Sequence, residues 1–186
     1  MLKKSWIIIG IIVLVGLWLL SGYNGLVKGD EGVKGQWANV ESVYQRRLDL
    51  IPNIVATVKG AAKQDLDVFT KLAEARSQYA GAATPDQKAA AASQVESSLA
   101  RLLVIVENYP DLKSQASFQA LITELEGSEN RISVERMRYN EAVQAFNAAI
   151  RTFPKNVIAG LFGFAKHNLF EASAGAEQAP SVDFTK

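Results

Sequence analysis

Residues 118–153 read FQALITELEGSENRISVERMRYNEAVQAFNAAIRTF, and their spacing decides the fold class. Phe118, Ile122, Leu125, Glu129, Ile132, Arg136, Tyr139, Val143, Phe146, Ile150 and Phe153 recur in alternating steps of four and three. That rhythm keeps one stripe of a helix turned toward a neighbour, as in a coiled-coil seam. At a rise of about 1.5 Å per residue the stretch covers roughly 54 Å. Pro154 should end it, because proline lacks an N–H and crowds the preceding turn.

Upstream, Thr84-Pro85-Asp86-Gln87 reads as a helix start. Thr84 can cap, Pro85 is tolerated in the first turn, and Gln87 can complete a capping box. Val95, Leu99, Leu102 and Val106 are the stripe of the helix that follows, and Asn108-Tyr109-Pro110-Asp111 should break it. An earlier amphipathic segment runs through Ile54, Val55, Val58, Ala62, Leu66, Phe69, Leu72, Ala73 and Tyr79 and should stop near Gly81. Before it, Val33, Trp37, Val40, Tyr44 and Ile51 predict a helix that Pro52 ends or kinks. No period-two alternation or hairpin signal appears, so the expected fold is all-α. It is an N-terminal transmembrane helix followed by an elongated up-and-down helical bundle with coiled-coil-like packing.

The transmembrane expectation comes from Ser5–Val27, an uncharged run with WIIIGIIVLVGLWLL at its heart. It reaches roughly 34 Å as a helix, against a hydrocarbon core of about 30 Å. A cleavable leader also begins with lysines and an apolar stretch, but Leu19-Leu20-Ser21-Gly22-Tyr23 offers no small-x-small cleavage site, which favours an anchor. Residues 1–27 are therefore read as a single-pass anchor, 28–171 as the helical bundle and 172–186 as a loose tail. Lys3 and Lys4 on one side face Lys28 and Lys34 on the other, a count that leans toward a cytoplasmic N-terminus and an extracytoplasmic domain. Gly22, Gly25, Gly29, Gly32 and Gly35 recur just beyond the tract. They read as a flexible hinge, with a close-packing stripe as the alternative.

With Lys3 and Lys4 set aside, 18 basic residues face 19 acidic ones, and this balance gives nucleic acid nothing to bind by bulk charge. Cysteine is absent, which excludes disulfides, thiolate metal sites and a cysteine nucleophile. His167 is the only histidine. Histidine-pair zinc motifs and a di-iron bundle site cannot be built. A serine hydrolase would need that same histidine as base, yet there is no G-x-S-x-G turn, and His167 reads as a surface or packing residue. The expectation is a non-enzymatic protein with no cofactor and no metal.

Glu129 and Arg136 occupy seam positions, where a charge needs a partner or water. Together with Arg46, Arg47, Glu107, Asn130, Asn140 and Asn147 they could form a buried polar network that fixes helix register. The alternatives are a ligand contact and a skewed heptad whose charges face water. The apolar stretch Val157-Ile158-Ala159-Gly160-Leu161-Phe162-Gly163-Phe164 is not claimed by the heptads. Val157, Ile158, Leu161, Phe162 and Phe164 form a candidate interaction patch, either packed on the bundle end or offered to a membrane or partner.

Several motifs in order resemble the LemA family of bacterial membrane-anchored helical proteins. They are Tyr23-Asn24 with Leu26-Val27, Arg46-Arg47-Leu48-Asp49-Leu50-Ile51-Pro52-Asn53 and Glu107-Asn108-Tyr109-Pro110-Asp111-Leu112-Lys113. Glu124 to Ile132, Arg136, Tyr139-Asn140-Glu141-Ala142-Val143, Phe153-Pro154 and Pro180-Ser181-Val182-Asp183-Phe184 complete the set. The chain departs at Ser114–Phe118 and at Phe146-Asn147, where a second Tyr-Asn is common in the family. The resemblance implies a membrane-anchored helical protein without an established enzymatic activity. It also implies an envelope setting, with a membrane metalloprotease or a TPM-domain protein as partner. Two functions are weighed: a scaffold that binds another envelope protein, and a self-associating, membrane-organising protein. An enzyme with a site on the bundle ranks last.

Overall fold

The computed structural model describes residues 2–61 and 66–170, with side chains placed for 6–59 and 67–170. The helices are α1 (Leu2–Ala61), α2 (Leu66–Gly81), α3 (Pro85–Val106), α4 (Pro110–Lys113), α5 (Ala116–Ala149) and α6 (Lys155–Phe162). No strand occurs among the described residues. The protein is all-α, a long apolar N-terminal helix followed by packed helices. The expected tail at 172–186, the Pro180–Phe184 motif and Ala62 lie outside the described residues, as does the side chain of Leu66.

The described residues divide into two compact units. One comprises the N-terminal part of α1 to Val40 with residues 135–169. Its core brings Leu26, Val33 and Val40 of α1 together with Tyr139, Val143 and Phe146 of α5 and Ile158 of α6. Trp37 meets Tyr139 edge-on, ring centroids 5.2 Å apart. The other unit comprises residues 41–134 and Phe170. In it, Tyr44, Ile51, Ile54 and Val58 of α1 are buried with Phe69, Leu72 and Tyr79 of α2 and Val95, Leu99 and Leu102 of α3.

Local chemistry sets the helix ends. Before α3, the Thr84 hydroxyl accepts from the Gln87 N–H at 3.3 Å, and the Gln87 side-chain carbonyl accepts from the N–H of Ala83 at 3.0 Å. The capping box is complete, with Pro85 at the first turn. After α3 the Tyr109 N–H folds back onto the Val106 carbonyl at 2.9 Å, and Pro110 opens the short α4. Helix α6 ends at Gly163, whose φ of 75° is left-handed, and the Phe164 N–H returns to the Ala159 carbonyl at 3.0 Å. That position calls for glycine because a Cβ would be strained there.

Four expectations are corrected. Of the two outcomes expected at Pro52, the ending does not occur, since α1 runs on to Ala61. A helix-interior proline costs about 3 kcal/mol. Around it Leu48, Ile51, Ile54 and Val58 are buried, each contributing about 1.5–3 kcal/mol, so packing outweighs the lost hydrogen bond. The glycine-rich stretch is not a hinge: Gly22 to Gly35 are helical throughout. Helix α5 stops at Ala149, where the N–H groups of Ile150, Arg151 and Thr152 bond back to Phe146 and Ala148. Phe153 leaves the stripe and is 78% exposed. On α2, Ala75 rather than Ala73 faces the core.

Two of the glycines are close-packing positions. A Cβ on Gly22 would stand 2.3 Å from Ile158 Cδ1, and one on Gly29 would stand 3.1 Å from Phe146 Cδ2. At Gly25, Gly32 and Gly35 a Cβ would meet nothing within 4 Å. Gly32→Ala should therefore stabilise the folded chain by about 0.5–1 kcal/mol through reduced backbone entropy in the unfolded state. Gly29→Val should destabilise it by about 1–3 kcal/mol through overpacking. Thermal unfolding of the full-length chain in detergent, followed by circular dichroism, checks both, and the two variants must shift in opposite directions.

Candidate functional site

In the N-terminal unit the chain after α6 is fastened to α1 and α5 by a polar clasp. The Tyr139 hydroxyl donates to the Asn168 carbonyl at 3.0 Å. Asn147 grips the main chain of His167 from both sides, its Nδ2 donating to the carbonyl at 2.8 Å and its Oδ1 accepting from the N–H at 3.0 Å. These bonds satisfy backbone groups of a segment that has no helix of its own to pair with. The His167 side chain points to α1, its Nε2 standing 2.7 Å from Asp30 Oδ1. Lys34 Nζ approaches the other oxygen of Asp30 at 2.8 Å and Glu31 at 2.7 Å.

Asp30 is the first acidic residue of the chain. Partial burial pushes its carboxyl up, but the hydrogen bonds and charges of Lys34 and His167 outweigh that and hold it below its ordinary value. Bonds to Asp30 and Glu31 raise the Lys34 ammonium above its usual range.

Aromatic rings pack around the clasp. Phe146 lies 5.2 Å from the His167 ring and 6.4 Å from Phe164, and Tyr23 lies 4.7 Å from Phe162 and 5.8 Å from Phe164. Within the expected patch, Ile158 is buried and Phe164 half-buried, whereas Val157, Leu161 and Phe162 are exposed. The patch is thus split between an inner edge seated at Gly22 and Tyr23 and an outer edge open to the surroundings.

In the second unit the structure brings together Arg47 and Glu129, with the Arg47 side chain only 7% exposed and that of Glu129 47% exposed. Beside them Arg46 reaches Glu124 at 3.3 Å, both exposed. The Tyr44 hydroxyl donates to Glu96 at 2.6 Å, and its ring stacks with Tyr79 and Phe170 at 5.5 and 6.1 Å. Lys88 pairs with Glu41. Burial, with the Glu41 charge nearby, pushes the Tyr79 phenol up.

Two more of the expected network members lie in this unit. Glu107 bonds Lys113 at 2.6 Å in an exposed pair, and Asn130 is exposed. Arg136 and Asn140 are half-buried, belong to the other unit and have interactions there or elsewhere. Within the second unit Arg47–Glu129, Arg46–Glu124 and Glu107–Lys113 are ion pairs made by expected network members. The clasp at His167 was missed: Asn147 was expected only in the polar network, and no spacing rule links it or Asp30 to His167.

The site's chemistry is that of attachment. The hydroxyls of Ser93, Ser97, Ser114 and Ser128 donate to carbonyls three or four residues earlier. No group of three or more His, Asp or Glu positioned for a metal occurs among the described residues. A polar groove of about 430 Å³ between α2 and α3 is lined by Lys71, Glu74, Gln78, Ser93, Ser97 and Arg101.

These features define an all-helical protein whose N-terminal helix is long and apolar enough to cross a membrane. The chain belongs to the LemA family, whose profile matches residues 36–184. It is 25% identical to the magnetosome protein MamQ 2 of Paramagnetospirillum magneticum, over 82% of this chain and 66% of that protein. It is 26% identical to the magnetosome protein MamQ of Magnetospirillum gryphiswaldense, over 84% and 68%. It is 22% identical to the protein LemA of Metamycoplasma hominis, over 92% and 80%. The chain thus spans just under two thirds of the length of MamQ 2.

Two outcomes follow. Among the described residues Arg47 Nε is buried without a hydrogen-bond partner, so Glu129 is the charge that compensates this guanidinium. Glu129→Ala should cost about 1–3 kcal/mol, a breakage penalty reduced by the half-exposure of Glu129. Arg46→Ala should cost less than about 0.5 kcal/mol; chemical denaturation of both variants checks the contrast. For Asp30, a folded value below 3.8 means that its stabilisation is in place above pH 3.8 and is lost as pH falls through the lower folded value. Asp30→Asn should flatten the acid limb of the stability profile below about pH 4, measured by chemical denaturation across that range.

Proposed function

We propose that this protein is a non-enzymatic scaffold of the cell envelope, held by α1 as a single-pass membrane anchor and presenting its helical bundle to another envelope protein. One observation carries the reading. Trp6, Ile9, Val13, Leu17 and Leu20 are all exposed, and the same helix continues into the buried positions Leu26, Val33 and Val40. An apolar surface of that length is unfavourable in water and matches the thickness of a bilayer. The domain lies on the extracytoplasmic side in this reading. Its partner is a membrane protein such as a metalloprotease or a TPM-domain protein. The attachment chemistry at His167 and Arg47 supports a structural role, since these polar groups are committed to holding the fold.

A second reading is favoured by the names of two relatives, which are magnetosome proteins. In it the chain organises membrane by self-association; of the glycines Gly25 and Gly29 whose spacing suggests close helix approach, Phe146 covers Gly29, which leaves the exposed edge at Gly25 and Gly32. Native mass spectrometry of the anchored chain in lipid, with crosslinking in intact membranes, separates the two. A monomer that crosslinks to one defined membrane protein is the expected result. A homo-oligomer without such a partner would favour the second reading. Reporters fused to Lys186 that work only inside or only outside the cytoplasm should give signal from the outside reporter.

A further inference from the structure

We infer that α6 is an interfacial foot: its outer face sits in the headgroup boundary of the bilayer that α1 enters, on anionic lipid. The inference rests on reading α1 as a membrane anchor, and the geometry of α1 sets the depth. About 20 helical residues fill a hydrocarbon core of about 30 Å, so a helix entering lipid at Trp6 leaves it near Gly25. The inner edge of α6 is docked at that level, with Ile158 against Gly22 and Phe162 4.7 Å from Tyr23. Asp30, Glu31 and Lys34 form a charged cluster about two turns further along α1, which marks the water side. No choice of register that keeps this cluster wet and Trp6–Leu20 in lipid moves α6 far from the boundary.

The surface of α6 fits that location. Val157 and Leu161, one turn apart, are 55% and 71% exposed, Phe162 is 54% exposed, and Phe153, just before α6 in the chain, is 78% exposed. This outer face is continuous with the exposed apolar surface of α1 through the Tyr23–Phe162 contact. From Arg151 to Phe170 the chain carries Arg151, Lys155 and Lys166 and no acidic residue, and all three basic side chains are exposed. An apolar edge whose own segment carries basic and no acidic residues complements an anionic membrane surface. The clasp through Asn147, His167 and Asp30 holds the segment at a fixed height on α1.

The chain has no cysteine, so single cysteines can be labelled without background. Nitroxide labels on L161C, L14C and E141C would be read in the full-length protein reconstituted in vesicles of phosphatidylcholine with phosphatidylglycerol. Accessibility to oxygen against a water-soluble nickel chelate reports depth. The expected result is L161C at about 5–10 Å below the phosphates, L14C deeper and E141C in water. L161C as wet as E141C, with L14C deep, overturns the foot and leaves the anchor standing. A wet L14C overturns both. An L161C label shielded from oxygen and nickel alike means that protein, not lipid, covers the face, and also overturns the proposal. In pure phosphatidylcholine, or with K155E and K166E combined, the L161C label should become shallower. An unchanged depth under both conditions overturns the role of anionic lipid.

Discussion

Close approach of side chains to the backbone of α1 at Gly22 and Gly29 is the constraint on which the N-terminal unit depends. With only hydrogen at these positions, Ile158 and Phe146 come to distances that a Cβ would not leave free. The rest follows from that contact. With Phe146 set against Gly29, its ring flanks His167 and Phe164, and His167 is brought within hydrogen-bonding distance of Asp30, one residue beyond Gly29. With Ile158 set against Gly22, α6 lies alongside the end of the apolar tract, and Tyr23 becomes the neighbour of Phe162 and Phe164. Glycine is costly inside a helix, by about 0.5–1 kcal/mol each. At Gly22 and Gly29 that cost is offset by contacts larger residues would prevent. Gly25, Gly32 and Gly35 show no such compensation in the contacts around them.

The same two glycines show how far the fold could be read from sequence. Periodicity and capping were legible because they act within a few residues. The stripe from Phe118 to Ile150, the Thr84–Gln87 box and the break at Tyr109-Pro110 all stand where the local pattern places them. Gly22–Gly35 and Pro52 misled because their local rules are weak against packing by partners distant in sequence. A glycine-rich stretch is flexible only when nothing packs on it, and here Phe146 and Ile158 do. A proline stops a helix only when the flanking turns gain little by continuing, and here Ile51, Ile54 and Val58 are buried.

Polar residues were legible to the extent that they stood on the seam. Arg47 falls between Tyr44 and Ile51 in the four-and-three rhythm of α1, and Glu129 falls between Leu125 and Ile132 on α5. A charge at such a position needs an opposite charge at the same level of the opposing helix, and these two meet. Arg46, one residue away and turned by about 100°, reaches Glu124 in an exposed pair instead. Rotation about the helix axis thus decides which of two adjacent arginines is structural. Composition and proximity in sequence do not. The His167 clasp lay beyond sequence reasoning for a related cause. Its three anchors, Asp30, Tyr139 and Asn147, are met by a segment without periodicity, and a segment without periodicity carries no register from which a partner could be inferred.

Fastening of this kind has a mechanical consequence for the N-terminal unit. The contacts of α1 with Ile158, Phe162, Phe146 and His167 all fall between Gly22 and Asp30, a span of about 12 Å along the helix. Within that span the helix is unbroken, so it offers no hinge at which α6 could lag behind α1. Separating them would require Ile158 to leave the Gly22 notch while Asn147 still grips the His167 main chain, and the two attachments are only a few turns apart. A change in the depth or tilt of α1 therefore carries α6 and the clasp with it. In a protein held by α1 in a bilayer, the position of the membrane is transmitted directly to the surface that α6 presents.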